Sequence, residues 1–208
     1  MSTKFYDQLI DWAIKLQSLA QDGLAYCNDK YDRQRYQELR TVAAEMMAAK
    51  SGQSLSQVQE LFCNERGYQT PKIDTRAAIF REGKILLVKQ DGQWSLPGGW
   101  AEVNISVAEN CVKETREETG LHTVVQRVIA LQEYNRHNCP PLSPYGICKI
   151  FFLSRVTGGQ FEKNIETQGY DYFALDELPP LITRKSNEDQ IRLCFAAAHD
   201  PHWQTRFE

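Results

Sequence analysis

Two rhythms of apolar and polar residues divide the chain. Near its start, Leu9, Trp12, Ala13, Leu16, Leu19 and Ala20 recur at the spacing of an amphipathic helix, with Gly23 read as its stop. After a polar turn at Asn28–Asp32, a second helical stripe runs through Tyr36, Leu39, Ala43, Met46 and Met47. A third helix is predicted from Ser54, whose side chain pairs with Gln57 in a capping-box pattern. Leu55, Val58, Leu61 and Phe62 follow, and Gly67 is read as its end. Aromatic and methionine stripes at this spacing are expected to be core rather than ligand boxes. A unit this small needs a partner surface to bury them. The stripes could face one another, a second domain or a second subunit, and the pattern leaves that open.

From Lys72 the rhythm shortens. Thr75–Phe80 and Lys84–Lys89 are rich in Ala, Ile, Leu and Val and are separated by Glu82–Gly83, so they read as a hairpin. Val124–Leu131, Lys149–Val156 and Tyr170–Leu175 read as further strands, with Gly158–Gly159 as a turn. One strong helix is predicted near Ser106–Glu118. Another at Glu188–Ala198 carries Ile191, Cys194, Phe195 and Ala198 on one face. Strands and helices without a regular βαβ alternation predict an α/β or α+β domain with a mixed sheet. The expected organisation is a helical domain over residues 1–66 and a second domain over residues 67–208.

Composition narrows the partners. The 208 residues are 42% hydrophobic and 25% charged with a formal net charge of -3, so bulk electrostatics gives no reason to expect nucleic acid. Nothing reads as a signal peptide or membrane span, because Asp7, Asp11 and Lys15 interrupt the first apolar stretch. The six cysteines, at 27, 63, 111, 139, 148 and 194, show no CxxC spacing. They are expected to be reduced thiols in a cytoplasmic protein.

The chemistry concentrates between Pro97 and Leu121. Ser106 with Glu109 forms another capping-box pattern, so a helix should start where the glycine-rich loop Pro97-Gly98-Gly99 ends, and Gly120 suits the residue just past it. Glu114, Glu117 and Glu118 sit at i, i+3 and i+4, on one helix face. Like charges so placed repel, and near a helix C-terminus the macrodipole also disfavours them. A solvated acidic face is the bland explanation. A hard divalent cation would relieve both conflicts and bind phosphate oxygens as well.

These residues resemble the signature of the Nudix hydrolases. With Gly99 as its first glycine, Glu114, Glu117, Glu118, Gly120 and Leu121 fall on the expected positions over 23 residues without a gap. The resemblance implies a Nudix α/β/α sandwich, with Mg²⁺ or Mn²⁺ held by Glu114, Glu117 and Glu118 while water attacks a phosphorus of a diphosphate linkage. Ile105 stands at the place of the first Glu, Lys113 at that of the Arg, and Thr115 at that of an aliphatic residue. Lysine keeps the charge but loses the bidentate fork. Ile105 is expected to pack apolar and the metal site to survive.

Further segments, including Leu9-Ile10-Asp11-Trp12-Ala13, Tyr31-Asp32-Arg33, Ile73-Asp74-Thr75-Arg76-Ala77, His137-Asn138-Cys139-Pro140-Pro141 and Ile165-Glu166-Thr167, are similar to a Nudix group with a helical N-terminal extension. That group includes CDP-choline pyrophosphatases and enzymes assigned to ADP-ribose, and its extension takes part in dimerisation. The resemblance implies a homodimer acting on a nucleoside diphosphate-linked small molecule, with a slight lean to CDP-choline. It also places Glu166, with Glu162 next in line, as general base or extra metal ligand; the bland alternative is a solvated loop glutamate. Arg76 and Lys89 are candidate phosphate contacts beside Gly98 and Gly99, although each could be an ordinary surface charge. Tyr134, Arg136 and His137 are candidate base or ribose contacts, with loop anchoring as the alternative for His137. Trp94 and Trp100 are expected to pack. Rival readings are a nucleotide sensor without turnover, a helical interaction protein whose C-terminal domain is scaffold, and an enzyme of nucleoside triphosphates or RNA.

Overall fold

The computed structural model describes residues 8–138, 143, 145–161 and 167–208. The chain divides into two compact units, one reaching Pro71 and taking in residues 144–146, the other comprising Lys72–Ser143 and Ile147–Glu208. Among the described residues, no helix is long and apolar enough to cross a membrane. The five described cysteines are free, and Cys139 lies outside the described residues.

The first unit is three helices, α1 (Gln8–Tyr26), α2 (Lys30–Ser51) and α3 (Leu55–Phe62). Asp29 caps α2, and Ser54 with Gln57 forms the expected capping box on α3. The core uses small residues: Ala13 and Ala20 from α1, Ala43, Ala44 and Met47 from α2, Val58 and Phe62 from α3. Trp12 and Leu19 of the same stripe are 52% and 53% exposed, because small faces let the backbones of α1 and α2 approach and turn the large side chains outward. Gly23 is not a helix stop. It lies inside α1, where a Cβ would overlap the Tyr36 ring. Gly67 does not end α3 either; the helix closes at Cys63, and Gly67 sits in the following loop with positive φ.

The second unit is a mixed sheet between two helices. In chain order it holds β1 (Lys72–Arg81), β2 (Lys84–Gln90), β3 (Gln93–Ser95), α4 (Val107–Thr119), β4 (Leu121–Glu133), α5 (Tyr134–His137), β5 (Ile147–Gly159), β6 (Gly169–Phe173), α6 (Glu188–His199) and β7 (Arg206–Phe207). The strand order is β3-β2-β1-β5-β4-β7, with β6 also paired to β2. β1 runs parallel to β5, and β4 antiparallel to it. Gly158–Gly159 does not turn the chain: β5 continues through both, opposite His122 and Leu121.

Alternation assigns the two faces. Ala77 and Ile79 of β1, with Leu86, Val88 and Phe152, pack against Cys111 of α4. Ala78, Ile85, Leu87 and Phe151 pack against Ile191, Cys194 and Phe195 of α6. The predicted α/β/α sandwich is therefore present. Its decisive local feature is a divergence: β1 and β2 pair only at Phe80–Ile85 and Arg81–Lys84. Below that hairpin, residues 97–101 replace β2 beside β1. Ala77 N–H donates to the Pro97 carbonyl, Thr75 N–H to that of Gly99, and Ala101 N–H to that of Ile73. The glycine loop is thus strung along a strand.

Candidate active site

The loop can lie there only because it lacks side chains. At Gly98, with φ 139°, a Cβ would overlap the Thr75 carbonyl; at Gly99 it would overlap the Glu114 carboxylate. The loop is tied from below by Arg76, which is buried. Its Nη1 donates to the carbonyls of Leu96 (3.2 Å) and Gly98 (2.7 Å). Its remaining fork grips Asp74, with Nε–Oδ2 3.0 Å and Nη2–Oδ1 2.7 Å. Arg76 therefore shapes the loop, and its donors face protein atoms. Asn110, fully buried on α4, completes the frame by donating to Thr75 Oγ1 (2.9 Å) and accepting from Glu102 N–H (3.1 Å).

α4 starts and ends as expected, with the Ser106–Glu109 capping box and Gly120 in the left-handed conformation at its C-cap. Its three glutamates divide in their surroundings. Glu118 is buried and accepts from Gly98 N–H (2.8 Å) and Gln90 Nε2 (3.1 Å). Burial pushes its pKa up to about 7, against the pull of Arg76 and the Gly98 N–H. Glu114 lies mostly buried against Gly99, with Lys113 Nζ 3.1 Å from Oε1. Glu117 is more than half exposed and pairs with Lys113 at 2.7 Å. A groove of about 770 Å³ between α4 and the start of β4, lined by Val112, Lys113, Arg116, Glu117 and His122, opens beside Glu117.

Lys113, the departure from the family pattern, holds three carboxylates at once, because Glu102 Oε1 also stands 3.2 Å from its Nζ. Glu102 thus supplies from the loop the partner that Ile105 does not. These contacts raise the lysine pKa, the Glu117 bond most, then that of Glu114. Among the described residues, no group of three His, Cys, Asp or Glu side chains is arranged as a metal cage. The donors nevertheless suit a hard divalent cation. They are carboxylates, Gly99 leaves room for Glu114, and the Lys113 ammonium shows that Glu102, Glu114 and Glu117 can converge on one cation.

The expected contacts sort unevenly. Arg76, Gly98, Gly99, Glu114 and Glu118 come together. Lys89 does not join them; it lies on the α6 side of β2, its ammonium 5.8 Å from the Trp94 ring. Arg136 and His137 sit on α5 and face Glu208, at 3.9 and 3.4 Å, while the His137 carbonyl accepts from Asn187, which anchors that loop. Trp94 packs edge-to-face on Phe173, whereas Trp100, expected to pack, is 54% exposed. Glu162 and Glu166 lie outside the described residues.

The pattern did not reveal a second, buried polar cluster on the α6 side. Lys149 of β5 is only 1% exposed and lies 3.7 Å from Asp74. Its ammonium donates to the carbonyls of Arg184 (3.4 Å) and Lys185. Burial, then the nearby Arg76, pulls its pKa down to about 7. Gln190 of α6 spans from Gln132 to Asn138, at 3.0 Å each. Asn138 in turn donates to the Thr183 carbonyl at 2.7 Å.

Comparison with known proteins agrees with this geometry. Residues 71–194 match the family described as the NUDIX domain, and residues 7–62 match a UDP-X-like, N-terminal oligomerisation domain. A Bacillus subtilis protein provisionally named an ADP-ribose pyrophosphatase is 42% identical over 207 residues, covering 99% of each chain. The crystal structure of an ADP-ribose pyrophosphatase from Streptococcus suis is similar at 48% identity and a TM-score of 0.62, over 67% of this chain and 100% of that one. That of a UDP-X diphosphatase is similar at 32% identity and a TM-score of 0.61, over 96% of this chain and 98% of that one.

Proposed function

The chain belongs to the Nudix hydrolase family, and from that premise we propose that it hydrolyses the pyrophosphate bond of a nucleoside diphosphate joined to a small group X. A water oxygen forms a bond to one phosphorus as the bridging P–O bond breaks. The products are a nucleoside monophosphate and phosphorylated X, and the water's protons leave with the base and the departing phosphate. The observation that carries this reading is Glu114 and Glu118 gathered under a glycine loop that Arg76 fixes from below. ADP-ribose is the first candidate substrate, because the relative matched along the whole chain carries that name. A UDP-linked compound is second, because the UDP-X diphosphatase structure spans both units. CDP-choline, towards which the sequence leans, is named by none of these relatives.

Nudix hydrolases use divalent metal ions, and Mg²⁺ or Mn²⁺ is proposed here, with Glu114, Glu117 and Glu118 as its holders. When bound, the ion supplies Lewis-acid charge for the phosphate oxygens. The chain's own residues set the frame. Gly98 N–H and Gln90 fix both oxygens of Glu118, Lys113 ties Glu114 and Glu117 together, and the Arg76–Asp74 pair holds the loop at its distance from α4. Glu166 is proposed to accept the proton of the attacking water. Two copies are proposed to pair through the N-terminal unit. In support, Trp12, Leu19 and Tyr26 stand seven residues apart on α1, each more than half exposed. A monomer in sedimentation equilibrium at micromolar concentration would remove that pairing.

The central test is Glu118→Gln assayed against ADP-ribose, UDP-linked sugars, CDP-choline and nucleoside triphosphates with Mg²⁺ or Mn²⁺. The amide can keep a bond to Gly98, and turnover should fall on the order of 10²–10³-fold or more. Glu166→Gln should slow turnover without weakening binding. A Glu118→Gln protein as active as wild type would refute the assignment.

A further inference from the structure

Three cations, Arg76, Lys149 and Lys185, lie near Asp74, and two of them, Arg76 and Lys185, also feel Glu118 of α4. Two of the cations are committed. Arg76 spends its fork on Asp74 and two loop carbonyls, and Lys149 is sealed in the core. Lys185 differs on each point. It sits in the turn before α6 and is partly exposed. Its ammonium donates to an uncharged partner, Gln90 Oε1, and among the described residues no carboxylate lies within ion-pair distance of it.

The turn that carries Lys185 is built to hold it. Its N–H donates to the Ile182 carbonyl (2.7 Å), its carbonyl accepts from the buried Lys149 ammonium, and the adjacent Ser186 Oγ accepts from Leu96 N–H (3.3 Å). That last bond ties the turn to the residue preceding the glycine loop. The backbone is therefore fixed while the side chain stretches towards α4, where Gln90 passes the contact on to Glu118 Oε1 at 3.1 Å.

We propose that Lys185 is a phosphate-binding residue of this active site, its ammonium exchanging Gln90 for a non-bridging oxygen of the diphosphate. The proposal rests on the diphosphate reading given above. A lysine ammonium has three donors and suits a phosphate as a point charge. Burial and the neighbouring Arg76 hold its pKa below the ordinary lysine value, so an arriving anion stabilises its charged form. Lys149 acts through it as a positioning residue.

The test measures binding of inorganic pyrophosphate with Mg²⁺ by calorimetry, alongside KM and kcat for ADP-ribose, in wild type, Lys185→Met and Lys185→Arg. Losing one charge-assisted hydrogen bond should weaken pyrophosphate binding roughly 10- to 100-fold in Lys185→Met. Lys185→Arg should keep most of the affinity, and Tm should stay unchanged in both. Pyrophosphate affinity equal to wild type in Lys185→Met overturns the assignment, whether or not Tm falls. So does a wild type that binds no pyrophosphate. If wild type binds pyrophosphate and Lys185→Met does not, yet no diphosphate-linked nucleotide is cleaved, the proposed reaction falls and Lys185 stands.

Discussion

Each face of the sheet buries charge, and the two faces do so by opposite means. On the α4 face, carboxylates are stacked along one helix and held by the backbone of a glycine loop and by Lys113. On the α6 face, Asp74, Arg76 and Lys149 come from two parallel strands and meet across the sheet, sealed by α6 and the turn before it. The first is a local arrangement left partly open, as a site that admits substrate must be. The second is long-range and closed, and its members satisfy one another and the carbonyls of two loops. The difference separates the residues proposed to perform the chemistry from those that hold them in place.

The largest effect should come from the residue that serves both faces. Arg76 pairs with Asp74 and also ties down the loop above Glu118. Arg76→Met leaves a buried carboxylate with Lys149 as its remaining ion-pair partner among the described residues, and breaking a buried pair in this way costs roughly 3–5 kcal/mol. Urea unfolding should show that loss. The double variant Asp74→Asn/Arg76→Met should recover part of it, since the lone charge is gone. A single variant within experimental error of wild type would mean that the closed cluster carries no stability and that the contrast between the faces is superficial.

The same contrast explains what could be read from the sequence. Capping boxes, the glutamates at i, i+3 and i+4, and the paired glycines all act within one turn or loop, and each falls where the spacing puts it. The Asp74–Lys149 contact depends on the parallel register of β1 and β5, and no spacing along the chain encodes that register. A lysine inside Lys149–Val156 reads as the polar start of a strand; only the pairing shows it buried. The partner for Lys113 was missed for a related reason. Glu102 is three positions from Ile105, and loop curvature, not sequence position, brings it within reach. In the helical unit, periodicity found the helices but not their inner faces. A stripe that mixes Ala13 and Ala20 with Trp12 and Leu19 can pack by either edge, and close helix contact selected the small one. β3 and β7, at three and two residues, are too short to leave an alternation.

A smaller effect should sharpen the contrast through pH. Lys149 has its pKa drawn down from 10.5 to about 7 in the fold, whereas in the unfolded chain it titrates at the ordinary value. Between those values the unfolded chain binds a proton that the folded one does not, so stability from this group rises with pH across that window. Below about pH 7 both states are charged and the full burial penalty remains; above 10.5 both are neutral and it is gone. Lys149→Met removes the titration. The stability of wild type relative to this variant should therefore climb between pH 7.5 and 9.5, by about 1–2 kcal/mol. Glu118 tilts wild type the other way, since a carboxyl pushed up to about 7 favours the fold as pH falls from that value, but it titrates alike in both proteins and cancels in the difference. A difference that stays flat with pH would show Lys149 charged throughout, its ammonium fully compensated by Asp74 and the two carbonyls. The Asp74–Lys149 contact would then be a salt bridge in the ordinary sense, while Glu118 on the α4 face would keep its raised pKa.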